Sequence, residues 1–315
     1  MMDPVAFDGV LVVDKPAGPT SHDIVACVRR TLGLKKVGHL GTLDPLATGV
    51  LPLVVGRATR LAALLAGAHK QYDAVIRLGL ITDTYDITGT VVGGTDAPSI
   101  DATVVTGDRP QPSSETVARA VADFVGSYQQ RPPPFSAKKI AGVRAYALAR
   151  RRQPVEMPPA RVTVESLEVL SIDGPRVRCR MVCSSGFYVR SLAHDLGEVL
   201  GCGGCLETLR REQHGPFSLH AAVPLTRVLE DGASVATALI PMGSLLPGLP
   251  AVVVSDVGAQ RAAHGNPLRV ADIVPDAEPP TPSAARVRVL DARGQLLAVA
   301  DRHSDGALHP KIVLV

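Results

Sequence analysis

Gly38-His39-Leu40-Gly41-Thr42-Leu43-Asp44-Pro45-Leu46-Ala47-Thr48-Gly49 constrains this chain more than any other stretch. Glycine and proline surround a single carboxylate. Pro45 disfavours helical geometry at Asp44 and pushes it towards extended backbone. Gly41 and Gly49 permit positive φ or the close approach of another backbone. The apolar run Val50-Leu51-Pro52-Leu53-Val54-Val55 follows and stops at Gly56, a length and punctuation that predict a buried strand. Asp44 is therefore expected on a stiff loop at the entry to that strand. Such a mount suits a reactive group, because loops carry function when a rigid scaffold positions them. It also suits an ordinary turn aspartate.

With 315 residues, the chain fits one large domain and one small one. Its apolar fraction of 46% supports a sizeable core, but aromatics make up only 3%, so packing leans on Leu, Val and Ala. No apolar run approaches the ~20 residues of a membrane span, and the opening Met1-Met2-Asp3-Pro4 lacks the features of a signal peptide, so a cytoplasmic location is expected. Five cysteines suggest no disulfide framework. Cys202-Gly203-Gly204-Cys205 has no second CxxC to complete a zinc site and reads as a structural turn. There is no GxGxxG after a strand and no P-loop.

Along the chain, residues 9–14 read as a buried strand, followed by a helix with Ser21 at its N-cap and an apolar face of Ile24, Val25, Val28 and Leu32. Thr59 is expected to cap a short helix over residues 60–66. Residues 70–80 alternate as a strand with Tyr72 near its start, and residues 91–112 read as a loop. Residues 176–183 alternate cleanly, arginines on one side and Val177, Cys179 and Met181 on the other. Next comes a helix whose Leu192, Leu196, Val199 and Leu200 share a face, and then a strand over residues 206–215. Beyond a Pro/Gly-rich junction at residues 236–250, short strands with turn signals, among them residues 268–270, suggest a small barrel. Net charge is only +3, but residues 124–155 hold seven basic side chains (Arg131, Lys138, Lys139, Arg144, Arg150, Arg151, Arg152) and no carboxylate. A run of that kind is either a solvated face or a phosphate footprint.

The segment GHLGTLDPLATGVLPLVVGRATR resembles, without a gap, the signature of the bacterial tRNA pseudouridine synthase B (TruB) family. Asp14-Lys15-Pro16-Ala17-Gly18-Pro19-Thr20-Ser21 resembles the opening motif of the same family. The resemblance implies an α+β fold: a pseudouridine-synthase catalytic domain over residues 1–240, built on a mixed, largely antiparallel sheet flanked by helices. It also implies an RNA-clamping insertion at about 127–155 and a small PUA-like RNA-binding β-barrel over residues 241–315. Pro134-Phe135-Ser136-Ala137-Lys138-Lys139 matches the clamp of relatives only in part.

The implied reaction isomerises uridine 55 in the T loop of tRNA to pseudouridine. It breaks the N1–C1′ bond, turns the detached uracil and joins C5 to C1′ without redox change, so neither cofactor nor metal is needed. The site needs a carboxylate, a cation to hold it, a flat surface for the flipped base, and help in removing the C5 proton. The resemblance assigns Asp44 as nucleophile, leaving open attack on C1′, attack on C6 or removal of the C2′ proton. It assigns Arg190 as the cation that pairs with Asp44, since a guanidinium bonds a carboxylate through two parallel contacts. Tyr72 stacks on the base and relays a proton, Tyr188 and Leu209 line the uracil pocket, His39 stacks in the flipped-out region, and Arg60 touches a phosphate. The implied partner is the tRNA T-stem loop, bound by a monomer. A non-catalytic tRNA-folding chaperone is the rival reading. An Asp-based glycosidase would need a second carboxylate about 5–10 Å away, and the stretches around Asp44 and Tyr188 offer arginine, tyrosine and histidine instead.

Overall fold

The computed structural model describes residues 7–96, 112–135, 139–140, 143–144, 157–230, 232–274 and 284–315. Its centre is an 11-stranded sheet whose main path runs Val223–Pro224, Gly9–Lys15, Thr48–Val55, Gly204–His214, Lys70–Leu78, Arg176–Cys183, Ala160–Asp173, Gly126–Gln130. Pairing along this path is antiparallel except at Gly9–Lys15 with Val223–Pro224 and at Thr48–Val55 with Gly204–His214. The second exception brings Thr48 and Gly49, at the exit of the Asp44 loop, alongside Arg210 and Arg211.

Two patterns of hydrophobicity follow from what covers each face. Gly9–Lys15 and Thr48–Val55 are apolar without alternation because both of their faces are covered. Leu11, Val13, Leu51 and Leu53 pack under the helices with Ile24, Val28, Leu192 and Leu196. Val10, Val12, Val50 and Val54 pack on the opposite side against Leu296, Val299 and Leu314. Lys70–Leu78 and Arg176–Cys183 alternate strictly. Their inward residues join the first core, and their outward residues form ion pairs: Arg178 with Asp73, and Arg180 with Asp73 and Glu212. Exposed pairs of this kind contribute about 0–1 kcal/mol each, so they keep the uncovered face soluble while the core supplies the stability.

Ser21–Thr31 and Val189–Leu200 are the helices nearest the site. The sequence puts the first cap at Ser21; the structure puts it at Thr20, in a capping box with Asp23, because the Ser21 hydroxyl is engaged by Leu43. Thr59 caps nothing: its hydroxyl donates to the Gly56 carbonyl inside a 3₁₀ turn, Gly56–Leu61, that leads into Ala62–Ala66. Val199, placed by spacing on the apolar face of the second helix, is 64% exposed, since its side of the last turn is uncovered. This helix approaches the sheet closely at Gly197, where a Cβ would lie 2.0 Å from the Gly204 nitrogen.

Past Ile240–Pro241, which pairs with Gly9–Val10, a second sheet runs Ala251–Val253, Arg286–Leu290, Leu296–Arg302, Leu308–Val313. Single bridges, Val254–Ile273 and Leu268–Leu308, extend it. The strand expected at residues 268–270 is reduced to the second of these bridges, because Val270–Asp272 closes a 3₁₀ turn. Of the basic stretch, Lys138 and Arg150, Arg151 and Arg152 lie outside the described residues. Lys139–Ile140 and Val143–Arg144 form a two-residue antiparallel pair. The loop expected over residues 91–112 begins instead with a short strand, Val91–Gly93, because it pairs antiparallel with Ile81–Thr82; its residues 97–111 lie outside the described residues, as do residues 275–283. No described helix is long and apolar enough to cross a membrane.

Candidate active site

Three buried polar side chains hold the Asp44 loop from below. Lys15, fully buried at the end of its strand, donates to the Ala47 carbonyl at 2.7 Å, to Pro16 at 2.9 Å and more weakly to Pro45 at 3.4 Å. Ser21 exchanges hydrogen bonds with both backbone groups of Leu43. Arg211, also fully buried, donates to carbonyls on either side of the loop: Val50 at 2.7 Å, Gly41 at 3.1 Å and Thr42 at 3.5 Å. The loop closes on itself through Ala47 N–H donating to the Asp44 carbonyl. Gly49, at φ 100°, lets it pass: a Cβ there would lie 2.2 Å from the Arg211 carbonyl oxygen. The carboxylate is thus fixed by its backbone before any side chain touches it.

Arg190 then fixes the carboxylate directly. Its Nε donates to Asp44 Oδ2 at 2.8 Å, Nη1 to the Thr84 carbonyl at 2.9 Å and Nη2 to the Phe135 carbonyl at 2.8 Å. Asp86, itself buried, stands 3.7 Å from Nη1. The Asp86 carboxylate is oriented by Thr84 and by both the hydroxyl and the N–H of Thr88. Arg190 sits in the first turn of its helix. That turn is registered by Gln130, whose amide donates to the Tyr188 carbonyl and accepts from the Tyr188 N–H. A buried guanidinium with two carboxylates and two carbonyls around it has one available orientation.

Tyr72 lies on the inward side of its strand, 6% exposed, directly across from Arg211 in the register. The Arg211 guanidinium lies against its phenol. Burial raises the phenol to about 12, opposed by Arg211 and reinforced by the nearby Asp44 charge, so Tyr72 is a neutral hydroxyl at any physiological pH. Around it burial drives cations the other way: Lys15 and Lys70 are each lowered to about 8, and Arg211 is also lowered. His214, fully buried beside Gly41, is pushed down to about 3 by burial and then by Arg211 and Lys70. Among the described residues neither of its ring nitrogens has a hydrogen-bond partner; the Leu65 backbone is near but lacks hydrogen-bond geometry.

Of the residues singled out from the sequence, Asp44 and Arg190 touch, and Tyr72 joins them through Arg211. Leu209 is buried two positions before Arg211, and Tyr188 stands two positions before Arg190, at the N-cap of its helix. His39 is half-buried in Val37–His39, with Nδ1 unpartnered among the described residues and burial lowering its pKa. Arg60 is exposed in the 3₁₀ turn and forms no ion pair among the described residues. An open recess of about 370 Å³ reaches Leu209 from the ion-pair face, between Leu46, Thr48 and Arg210; Asp44, Tyr72 and Arg190 do not line it. Sequence reasoning missed Asp86, Thr84, Gln130, Arg211 and His214. Only Asp86 carried a signal, the Asp/Thr-rich turn Thr82-Asp83-Thr84-Tyr85-Asp86.

The description "TruB family pseudouridylate synthase (N terminal domain)" matches residues 29–189, and "tRNA pseudouridylate synthase B C-terminal domain" matches residues 190–246. A tRNA pseudouridine synthase B of Solibacter usitatus is 41% identical over 314 residues, covering 98% of this chain and 100% of the relative. The protein of that name from Geobacter sulfurreducens is 43% identical, covering 94% and 93%. Among solved structures, a chain of the archaeal box H/ACA sRNP Nop10–Cbf5 complex superposes with a TM-score of 0.68 at 27% identity, covering 98% of this chain and 87% of that one.

Proposed function

Because this chain belongs to the TruB family of pseudouridylate synthases, which are isomerases, we propose that it converts uridine 55 in the T loop of tRNA to pseudouridine with Asp44 as the nucleophile. The observation that carries this reading is the Asp44–Arg190 contact on a loop braced from below by Lys15, Ser21 and Arg211. An unpaired uridine in an RNA loop can be extruded and read on its edges, unlike a base held in a duplex. Asp44 attacks at C1′ or C6, or removes the C2′ proton. The N1–C1′ bond breaks, the uracil turns, C5 bonds to C1′, and the C5 proton leaves through the Tyr72 hydroxyl. Tyr72 also stacks on the base, Tyr188 and Leu209 flank it, His39 stacks in the extruded region, and Arg60 contacts a phosphate. Residues 1–240 act as the catalytic unit. Residues 241–315 act as the PUA-like RNA-binding unit, and a monomer suffices for both.

The test is mass mapping of an unmodified tRNA transcript after incubation with the protein and with its Asp44→Asn variant. Isomerisation confined to position 55 and lost in the variant, with binding retained, supports the proposal. Binding without isomerisation by the unaltered protein would make it a folding chaperone. Release of free uracil would make it a glycosidase.

A further inference from the structure

Tyr85 and His194 belong to none of the roles above, yet they meet in a close ring stack, with centroids 3.9 Å apart and planes inclined by 12°. Tyr85 holds a left-handed backbone, φ 64°, which a non-glycine side chain adopts only when its surroundings enforce it. One side of its turn is tied to the sheet: Leu206 N–H donates to the Tyr85 carbonyl, and Ile87 N–H to the Leu206 carbonyl. On the other side the turn faces the Val189–Leu200 helix. There it offers the Thr84 carbonyl and the Asp86 carboxylate to Arg190, and the Tyr85 ring to His194, one helical turn beyond Arg190. The His194 Nδ1 is buried without a hydrogen-bond partner among the described residues, and burial lowers its pKa, so a neutral imidazole meets the phenol. The two residues flanking this strained tyrosine are those that brace Arg190 from the sheet side.

We infer that the Tyr85–His194 stack is a positioning pair for the isomerisation, clamping the Thr84–Asp86 turn onto the helix so that Arg190 stays aimed at Asp44. The inference rests on the reading of Asp44 and Arg190 as the reacting pair. Neither ring touches the reacting atoms. Losing the stack frees the turn to relax towards ordinary backbone geometry, which withdraws two of the acceptors that orient the guanidinium.

Steady-state kinetics on an unmodified tRNA transcript, with thermal melts in parallel, test this. Tyr85→Ala and His194→Ala are each expected to lower kcat about tenfold with KM within about twofold, since the substrate-contacting surface is unchanged. Because the two residues act as one device, the double variant should lose little beyond either single one. Tyr85→Phe and His194→Phe retain a flat ring and should stay within about threefold of the unaltered protein. Single variants with unaltered kcat, equal losses in the ring-retaining variants, or losses that multiply in the double variant would each overturn the inference. Should Tyr85→Ala fail to fold, the His194→Ala and His194→Phe comparison carries the decision. An Asp44→Asn variant run alongside separates the two readings: activity surviving there discards the catalytic assignment and the inference built on it, whereas activity lost there with the ring-deleting variants unaffected discards the stack alone.

Discussion

The Arg190 Nε lies 2.8 Å from Asp44 Oδ2, a contact between residues 146 positions apart in the chain. The same guanidinium donates to the Thr84 and Phe135 carbonyls, so one side chain joins segments from four parts of the chain. An ammonium cannot span those acceptors as a planar fork does. Arg190→Lys is expected to lower kcat by about 100-fold or more while leaving tRNA affinity within a few-fold. Single-turnover rates alongside filter binding would check this, and a lysine variant with near-full turnover would show that charge alone suffices.

Tyr72 carries a hydroxyl held neutral by burial, with its pKa raised to about 12. Tyr72→Phe keeps the ring and removes only that hydroxyl. Turnover is expected to fall by about tenfold or more, with binding nearly intact, if the phenol moves a proton. Its rate should also show no rise between pH 8 and 10 that depends on Tyr72, because the phenol does not ionise in that range. Identical rates for the two proteins would reduce Tyr72 to a stacking surface.

Gly49 lies where the Asp44 loop passes Arg211. Gly49→Ala places a methyl 2.2 Å from the Arg211 carbonyl oxygen, in a backbone at φ 100° that alanine resists. A loss of about 3 kcal/mol or more in urea unfolding is expected, with activity falling further as the loop shifts. A midpoint unchanged from the parent would mean that the loop can move aside without cost.

His214 is buried and neutral, its pKa lowered from 6.5 to about 3. Between those values the unfolded chain binds a proton that the folded chain does not, so stability rises with pH across the window and is lost as pH falls from 6.5 towards 3. His214→Leu should therefore flatten the decline in melting temperature between pH 6.5 and 4, relative to the parent, and change little at pH 8. Parallel declines in both proteins would place the acid sensitivity elsewhere.

Much of this site is legible locally. Proline and glycine around Asp44 act through sterics within a few residues, so the stiff loop and the strand after it can be read directly. The same holds for the alternation of Arg176–Cys183, where each residue reports its own face. Local pattern fails where a partner comes from far away. Thr20 and Ser21 are equally good caps by type, and only the distant Leu43 backbone decides between them. Val199 has the spacing of a core residue and no neighbour to cover it.

The sequence by itself determined the family, the stiff carboxylate loop and the periods of the strands, because these depend on residue types at short separations. Tertiary structure alone decided that Arg211, in a strand where its neighbour Arg210 pairs with Asp14 on the partly exposed side, is drawn fully inside to hold Gly41, Thr42 and Val50. It alone also set Asp86 and Tyr85 against the Arg190 helix. A buried guanidinium needs acceptors in three dimensions, and where those carbonyls lie is a property of the packed sheet and not of any window of residues.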